Sequence, residues 1–104
     1  MTNTNLLIHN GNDLLRLDLS NKKLKTLGEP FFQDNSIGLL SLGFNALVSL
    51  PDSIQQLINL TQLFLHNNAL TTLPESIGLL KKLQVLDMSN NNFTGLPNSI
   101  GELR

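Results

Sequence analysis

The stretch from Leu60 to Lys82 reappears when the sequence is shifted by about 23 residues in either direction. A period of that length marks an array of stacked units rather than a conventional globule. The recurring skeleton is Leu60, Leu63, Leu65, Asn68, Leu70, Leu73-Pro74, Ile77 and Leu80. The preceding copy has Ile37, Leu40, Leu42, Asn45, Leu47, Leu50-Pro51, Ile54 and Leu57. The following copy has Leu83, Leu86, Met88, Asn91, Phe93, Leu96-Pro97, Ile100 and Leu103. A degenerate first copy has Leu14, Leu17, Leu19, Lys22, Leu24, Leu27-Gly28 and Phe31. Four units therefore run 14–36, 37–59, 60–82 and 83–104, and residues 1–13 stand outside them. Each unit has seven inward positions, and only Asp34 among them is not apolar, in a chain whose overall hydrophobic content is 40%. That contrast makes the repeat a packing pattern.

Bulk properties narrow the function. With 104 residues the chain makes one small domain. A net charge of −1, with Lys and Arg spread along the sequence, argues against nucleic acid, which calls for a basic footprint on one face. No run of about 18 apolar residues is present, so no membrane-spanning helix is expected. The first 13 residues lack a basic start and an apolar stretch long enough for a secretory signal. The Asn59-Leu60-Thr61 and Asn92-Phe93-Thr94 sequons then read as accidents of composition. Absence of cysteine rules out disulfide caps, thiolate zinc sites and a thiol nucleophile. The expected setting is cytoplasmic.

Within a unit, the segment Leu60–Leu65 alternates as a short strand, with Leu63 and Leu65 inward and Gln62 and Phe64 outward. Units stacked in phase pair these strands in parallel, about 4.8 Å apart. The chain then turns at Asn68, returns Leu70 and Leu73 to the core, and starts a helical or 3-10 segment near Pro74. Proline suits a first helical turn, where its missing N–H has no intrahelical partner. Acidic residues such as Glu75 and Asp52 suit the positive end of the helix dipole. Pro30 makes the first unit's return irregular by disfavouring a helical Glu29. Asn45, Asn68 and Asn91 recur just after the strand. An amide side chain both donates and accepts, so this column forms a structural ladder that satisfies backbone groups from unit to unit. Lys22 cannot accept, so the ladder begins at the second unit. Leu6, Leu7 and Ile8, before the Asn10-Gly11 turn signal, form a minimal cap over the first unit.

These features resemble the leucine-rich repeat family over about nine-tenths of the chain. The return Leu50-Pro51-Asp52-Ser53-Ile54-Gln55-Gln56-Leu57 is similar to the short intracellular subtype with an LPxxIxxL pattern. That subtype occurs in Ras-suppressor-like scaffold proteins and in many bacterial repeat proteins, some delivered into host cells. The resemblance implies an α/β repeat solenoid: an arc with a parallel concave sheet and short helical or 3-10 convex segments. It also implies protein recognition on the concave face, and it carries no common catalytic residues and no cofactor.

If the stack holds, three columns face the concave side: Arg16, Leu39, Gln62, Val85; then Asp18, Ser41, Phe64, Asp87; then Ser20, Gly43, His66, Ser89. Beside them run Asn21, Phe44, Asn67 and Asn90. Leu39, Phe64 and Val85, with Phe44 at the rim, form an apolar anchor for a protein or peptide, edged by Arg16, Asp18 and Asp87. Against this stands the fact that single exposed apolar residues are normal. Four strands span only about 19 Å at the usual spacing, and a bare sheet of that width offers less area than the roughly 800 Å² per partner of a standard interface. A short peptide or a weak contact fits better. A second surface is the C-terminal end, where the last unit leaves one apolar flank and a strand edge open to self-association.

Catalytic readings are weak. His66, Asp87 and Ser89 fall on adjacent strands, but a hydrolytic triad needs a defined hydrogen-bond chain and a sheltered oxyanion site. His66 with Asp87 supplies two metal ligands where three or four are usual. His9 lies in the cap. Two function classes remain, a non-catalytic interaction module and a structural or self-associating unit, the latter including a part of a longer array or an effector-like bacterial protein.

Overall fold

The computed structural model describes residues 7–9, 14–27 and 36–102. One sheet holds five strands in chain order: β1 (Leu7–His9), β2 (Leu15–Asp18), β3 (Ile37–Ser41), β4 (Gln62–Phe64) and β5 (Val85–Asp87). The last four pair in parallel, each with the next unit's strand. Three 3-10 segments of the same length, Asp52–Gln56, Glu75–Leu79 and Asn98–Glu102, form the opposite side. Among the described residues each of the last three units is thus one strand followed by one short return, the solenoid arrangement that the resemblance implies.

Its core is a stack of aliphatic side chains. Leu40, Leu42, Leu47, Ile54 and Leu57 of one unit are fully buried, as are Leu60, Leu63, Leu65, Leu70, Ile77 and Leu80 of the next. Burial of one such leucine removes enough apolar surface to stabilise the fold by about 1.5–3 kcal/mol. Their counterparts Leu86, Met88, Phe93 and Ile100 are only partly buried against this cluster, and Leu96 is exposed. The pattern is thus most deeply buried in the two interior units; in the last unit Leu83 stays buried, and in the first Leu24 and Leu27 are only partly so.

Three features differ from the sequence reading. The skeleton put Leu14 opposite Ile37, but Leu15 takes that place, and the register shifts between Leu15 and Arg16. Gly38 accommodates the shift: a Cβ there would stand 2.9 Å from both Cβ and Cδ1 of the half-buried Leu14. Pro51 and Pro74 are not first helical residues. Each stands at the N-cap with extended backbone, ψ 155° and 152°, and its carbonyl accepts the N–H of Ile54 or Ile77 at 3.2 and 3.0 Å. A cap needs an acceptor and no donor, which proline supplies. Finally, the N-terminal segment meets the array through its backbone. Strand β1 runs antiparallel to β2, pairing Leu7 with Leu17 and His9 with Leu15, and so occupies the edge of β2. Phe31, Asp34 and the first unit's return, like Leu103 and Arg104, lie outside the described residues.

Candidate functional site

The sheet register builds the outward face. Arg16, Leu39, Gln62 and Val85 stand opposite one another across β2 to β5, as do Asp18, Ser41, Phe64 and Asp87. Between the two rows lie Leu17, Leu40 and Leu63, buried on the other side of the sheet. Alternation along a strand therefore points the two named rows away from the core. Leu39 and Phe64 are half-buried, and Val85 is 40% exposed.

Beyond the strands the stacking continues through turn backbone. The N–H groups of Leu19, Leu42 and Leu65 donate to Ser41, Phe64 and Asp87 carbonyls at 2.7–2.8 Å. Two residues on, Asn21, Phe44 and Asn67 donate to the carbonyls of Gly43, His66 and Ser89 at 3.0–3.1 Å. The turn residue lies in the left-handed region in every copy. Asn21, Phe44, Asn67 and Asn90 all have φ between 56° and 58°. Asparagine tolerates that conformation, whereas a phenylalanine there is a genuine outlier. The signal was present in the sequence as a column of three asparagines broken by one aromatic, but spacing alone did not reveal the backbone conformation.

The Asn45, Asn68 and Asn91 side chains tie successive units together. Asn68 Oδ1 accepts the Leu47 N–H at 3.0 Å, and its Nδ2 donates to the carbonyls of Leu42 and Leu65 at 2.9 and 3.1 Å. Asn91 does the same one unit later, accepting from Leu70 and donating to Leu65 and Met88. Asn45 reaches into the first unit, accepting from the N–H groups of Lys22 and Leu24 and donating to the Leu19 carbonyl.

His66 is the hub of the third column. Its imidazole lies over Gly43, where a Cβ would come within 2.7 Å of the ring Cε1. The rings of Phe44 and Phe64 approach it edge-on, with centroids at 5.2 and 6.4 Å. Its Nδ1 faces Asp87 Oδ2 at 3.5 Å, an electrostatic contact, and is buried without a hydrogen-bond partner among the described residues.

The carboxylates are set by serines two residues on. Asp87 Oδ1 accepts the Ser89 hydroxyl at 2.8 Å and the Ser89 N–H at 3.1 Å. Those two bonds, the hydroxyl's first, hold the Asp87 carboxyl below the ordinary carboxylate range; slight burial opposes them, and His66 assists weakly. Asp18 makes the same turn, accepting the hydroxyl and the N–H of Ser20. Its carboxyl is likewise lowered, first by those bonds, with slight burial opposing and with Arg16 and Lys22 adding attraction. The serines are therefore turn residues. Ser89 donates to Asp87 and not to His66, so these three groups do not form the nucleophile–base–acid chain of a hydrolase. Among the described residues no group of three or more His, Asp or Glu is placed to share a metal ion, and no helix is long and apolar enough to cross a membrane.

Comparison with known proteins gives a consistent result. The leucine rich repeat family model matches residues 35–93, more than half of the chain. A solved leucine-rich repeat protein of Leptospira interrogans is similar, with 44% sequence identity over 84% of this chain and a TM-score of 0.82. The matched region is 22% of that protein, so this chain spans less than a quarter of its length. Comparison with curated proteins gives no match.

Proposed function

The chain belongs to the leucine-rich repeat family, and from that premise we propose that it is a protein-interaction module whose partner lies on the outward face of the parallel sheet. Proteins of this family typically bind other proteins, and their fold is generally non-catalytic. One observation carries the reading. Leu39, Phe64 and Val85, flanked by Phe44 and His66, put apolar surface on a sheet face otherwise made of polar side chains. An apolar centre with a polar surround is the usual anatomy of an interface anchor. Arg16, Asp18 and Asp87 are the charged edge of that anchor. On this reading the molecule is a cytoplasmic scaffold of the short LPxxIxxL subtype, engaging a peptide or a small face of a larger protein.

The test is affinity capture with the wild-type chain and with the double variant Leu39→Ala, Phe64→Ala. Both side chains are outside the buried core, so the variant is expected to keep its melting temperature and lose the captured partner. Capture that survives the double substitution overturns the concave-face assignment.

A second reading is favoured by the β5 side of the stack. Val85 is 40% and Leu96 43% exposed there, beside the partly buried Leu86, Met88, Phe93 and Ile100. That surface would receive a second copy or a further repeat. Size-exclusion chromatography with light scattering across a concentration series distinguishes it, since a strict monomer at every concentration refutes self-association.

A further inference from the structure

Phe44 occupies a backbone position that suits asparagine, and the other three turns of its column use asparagine. Strain of that kind persists where the surroundings demand it, and it concentrates at binding sites. The turn itself has this conformation in every copy, Asn21, Asn67 and Asn90 included, and Phe44 gains no core burial from it, remaining 52% exposed. What the turn achieves is to set the Phe44 ring edge-on to His66, at 5.2 Å and 83°. His66 in turn reaches this seat only because Gly43 beneath it has no side chain. Phe64 closes the other side.

The adjoining charge is unbalanced. Asp18, at the far end of the same row, has both Arg16 and Lys22 acting on it. Asp87 has no lysine or arginine acting on it among the described residues, and its Oδ2 faces His66 Nδ1 at 3.5 Å. Ser89 takes Asp87 Oδ1, leaving Oδ2 on the His66 side of the cluster. Aromatic faces attract cations within about 6 Å of the ring centroid, and a carboxylate beside them supplies a charge-assisted hydrogen bond.

We propose that Phe44, Phe64, His66 and Asp87 form a subsite for a cationic side chain, a lysine or arginine presented by an extended segment of the protein partner. The inference rests on the reading that the partner lies on this face, and it adds the chemistry that the partner brings.

The experiment is an amide chemical-shift titration of the full chain with N-acetyl-lysine methylamide, its arginine analogue and the norleucine analogue, which matches lysine in shape without the charge. The two cationic probes are expected to shift Phe44, Phe64, His66 and Asp87 saturably, and the norleucine probe not at all. Phe44→Asn and Asp87→Asn are each expected to weaken the cationic probes about fivefold or more. Both substitutions keep the turn, since asparagine suits the left-handed position and still accepts the Ser89 bonds, and thermal melts verify the fold. Equal shifts from norleucine overturn the cationic assignment but leave the face as a recognition surface. Unchanged affinity in either variant overturns the subsite. If no probe shifts this face while the Leu39→Ala, Phe64→Ala variant still loses its captured partner, the subsite falls and the concave-face reading stands.

Discussion

Replacing Asn68 by alanine tests the inter-unit ladder quantitatively. The side chain accepts one bond, and its two amide hydrogens are shared among the carbonyls of Leu42, Leu65 and His66. Their fates differ on truncation. Leu42 keeps a bond from Asn45, Leu65 one from Asn91, and His66 one from the Phe44 N–H. The Leu47 N–H is the group left exposed to loss, and Leu47 is fully buried, out of reach of water. An orphaned buried donor costs about 1–3 kcal/mol, and the half-satisfied carbonyls add about 0.5 kcal/mol each, for a total of about 3 kcal/mol. A chain of this length has about 5–15 kcal/mol in all, so the loss is large. With a urea m-value of about 1.5 kcal/mol per molar, the unfolding midpoint falls by about 2 M. Asn45→Ala is the control. The donors that it satisfies belong to the exposed Lys22 and the half-buried Leu24, which water reaches, so mainly its carbonyl partners Leu19, Leu42 and Gly43 lose, at a cost of about 1.5 kcal/mol. Denaturation followed by circular dichroism measures both, with equal m-values required. Equal losses in the two variants, or a loss below about 1 kcal/mol in Asn68→Ala, would refute the satisfaction argument.

The carboxylates and the glycines give independent tests. Asp18 and Asp87 have folded-state values depressed by their serines. Their contribution to stability is therefore present above the unfolded value and lost as pH falls through the folded one. Carbon-detected NMR titration should find both midpoints below the ordinary carboxylate value, and Ser20→Ala or Ser89→Ala should raise the matching midpoint alone. Gly78→Ala and Gly43→Ala should behave oppositely. At Gly78 a Cβ would meet the Ser99 backbone carbonyl at 2.7 Å, which cannot swing away, so the variant should lose about 1–3 kcal/mol in thermal or urea denaturation. At Gly43 the obstacle is the end of the half-exposed His66 ring. The ring should move aside, changing its NMR shifts with little change in stability.

Much of the fold was legible because packing repeats. The positions that the stack buries in each unit are apolar at one fixed set of spacings, so Leu63, Leu65, Leu70 and Ile77 announced their places, and the outward rows followed by alternation. The bulge at Gly38 was not legible, since glycine at one strand position has many uses and only the crowding by Leu14 identifies this one. The proline caps were misplaced by one residue because a cap and a first turn both suit proline. Backbone pairing by β1 was hidden in three residues that also read as a simple apolar run. At the candidate site the row members were evident, but the seat of His66 was not. It depends on a missing Cβ at Gly43 and on a left-handed turn at Phe44, and both are properties of the backbone beneath the side chains.

The asparagine bonds have a direction. Each amide donates to carbonyls of its own turn, but its oxygen accepts an N–H of the unit before, so the corresponding N–H of its own unit is met by the amide of the unit after. A whole unit can therefore be inserted or removed inside the array without breaking the pattern, provided that the change is one full period. A partial insertion would place a different residue where the amide must stand. Length in such a molecule is quantised, and the recognition surface can widen only one strand at a time.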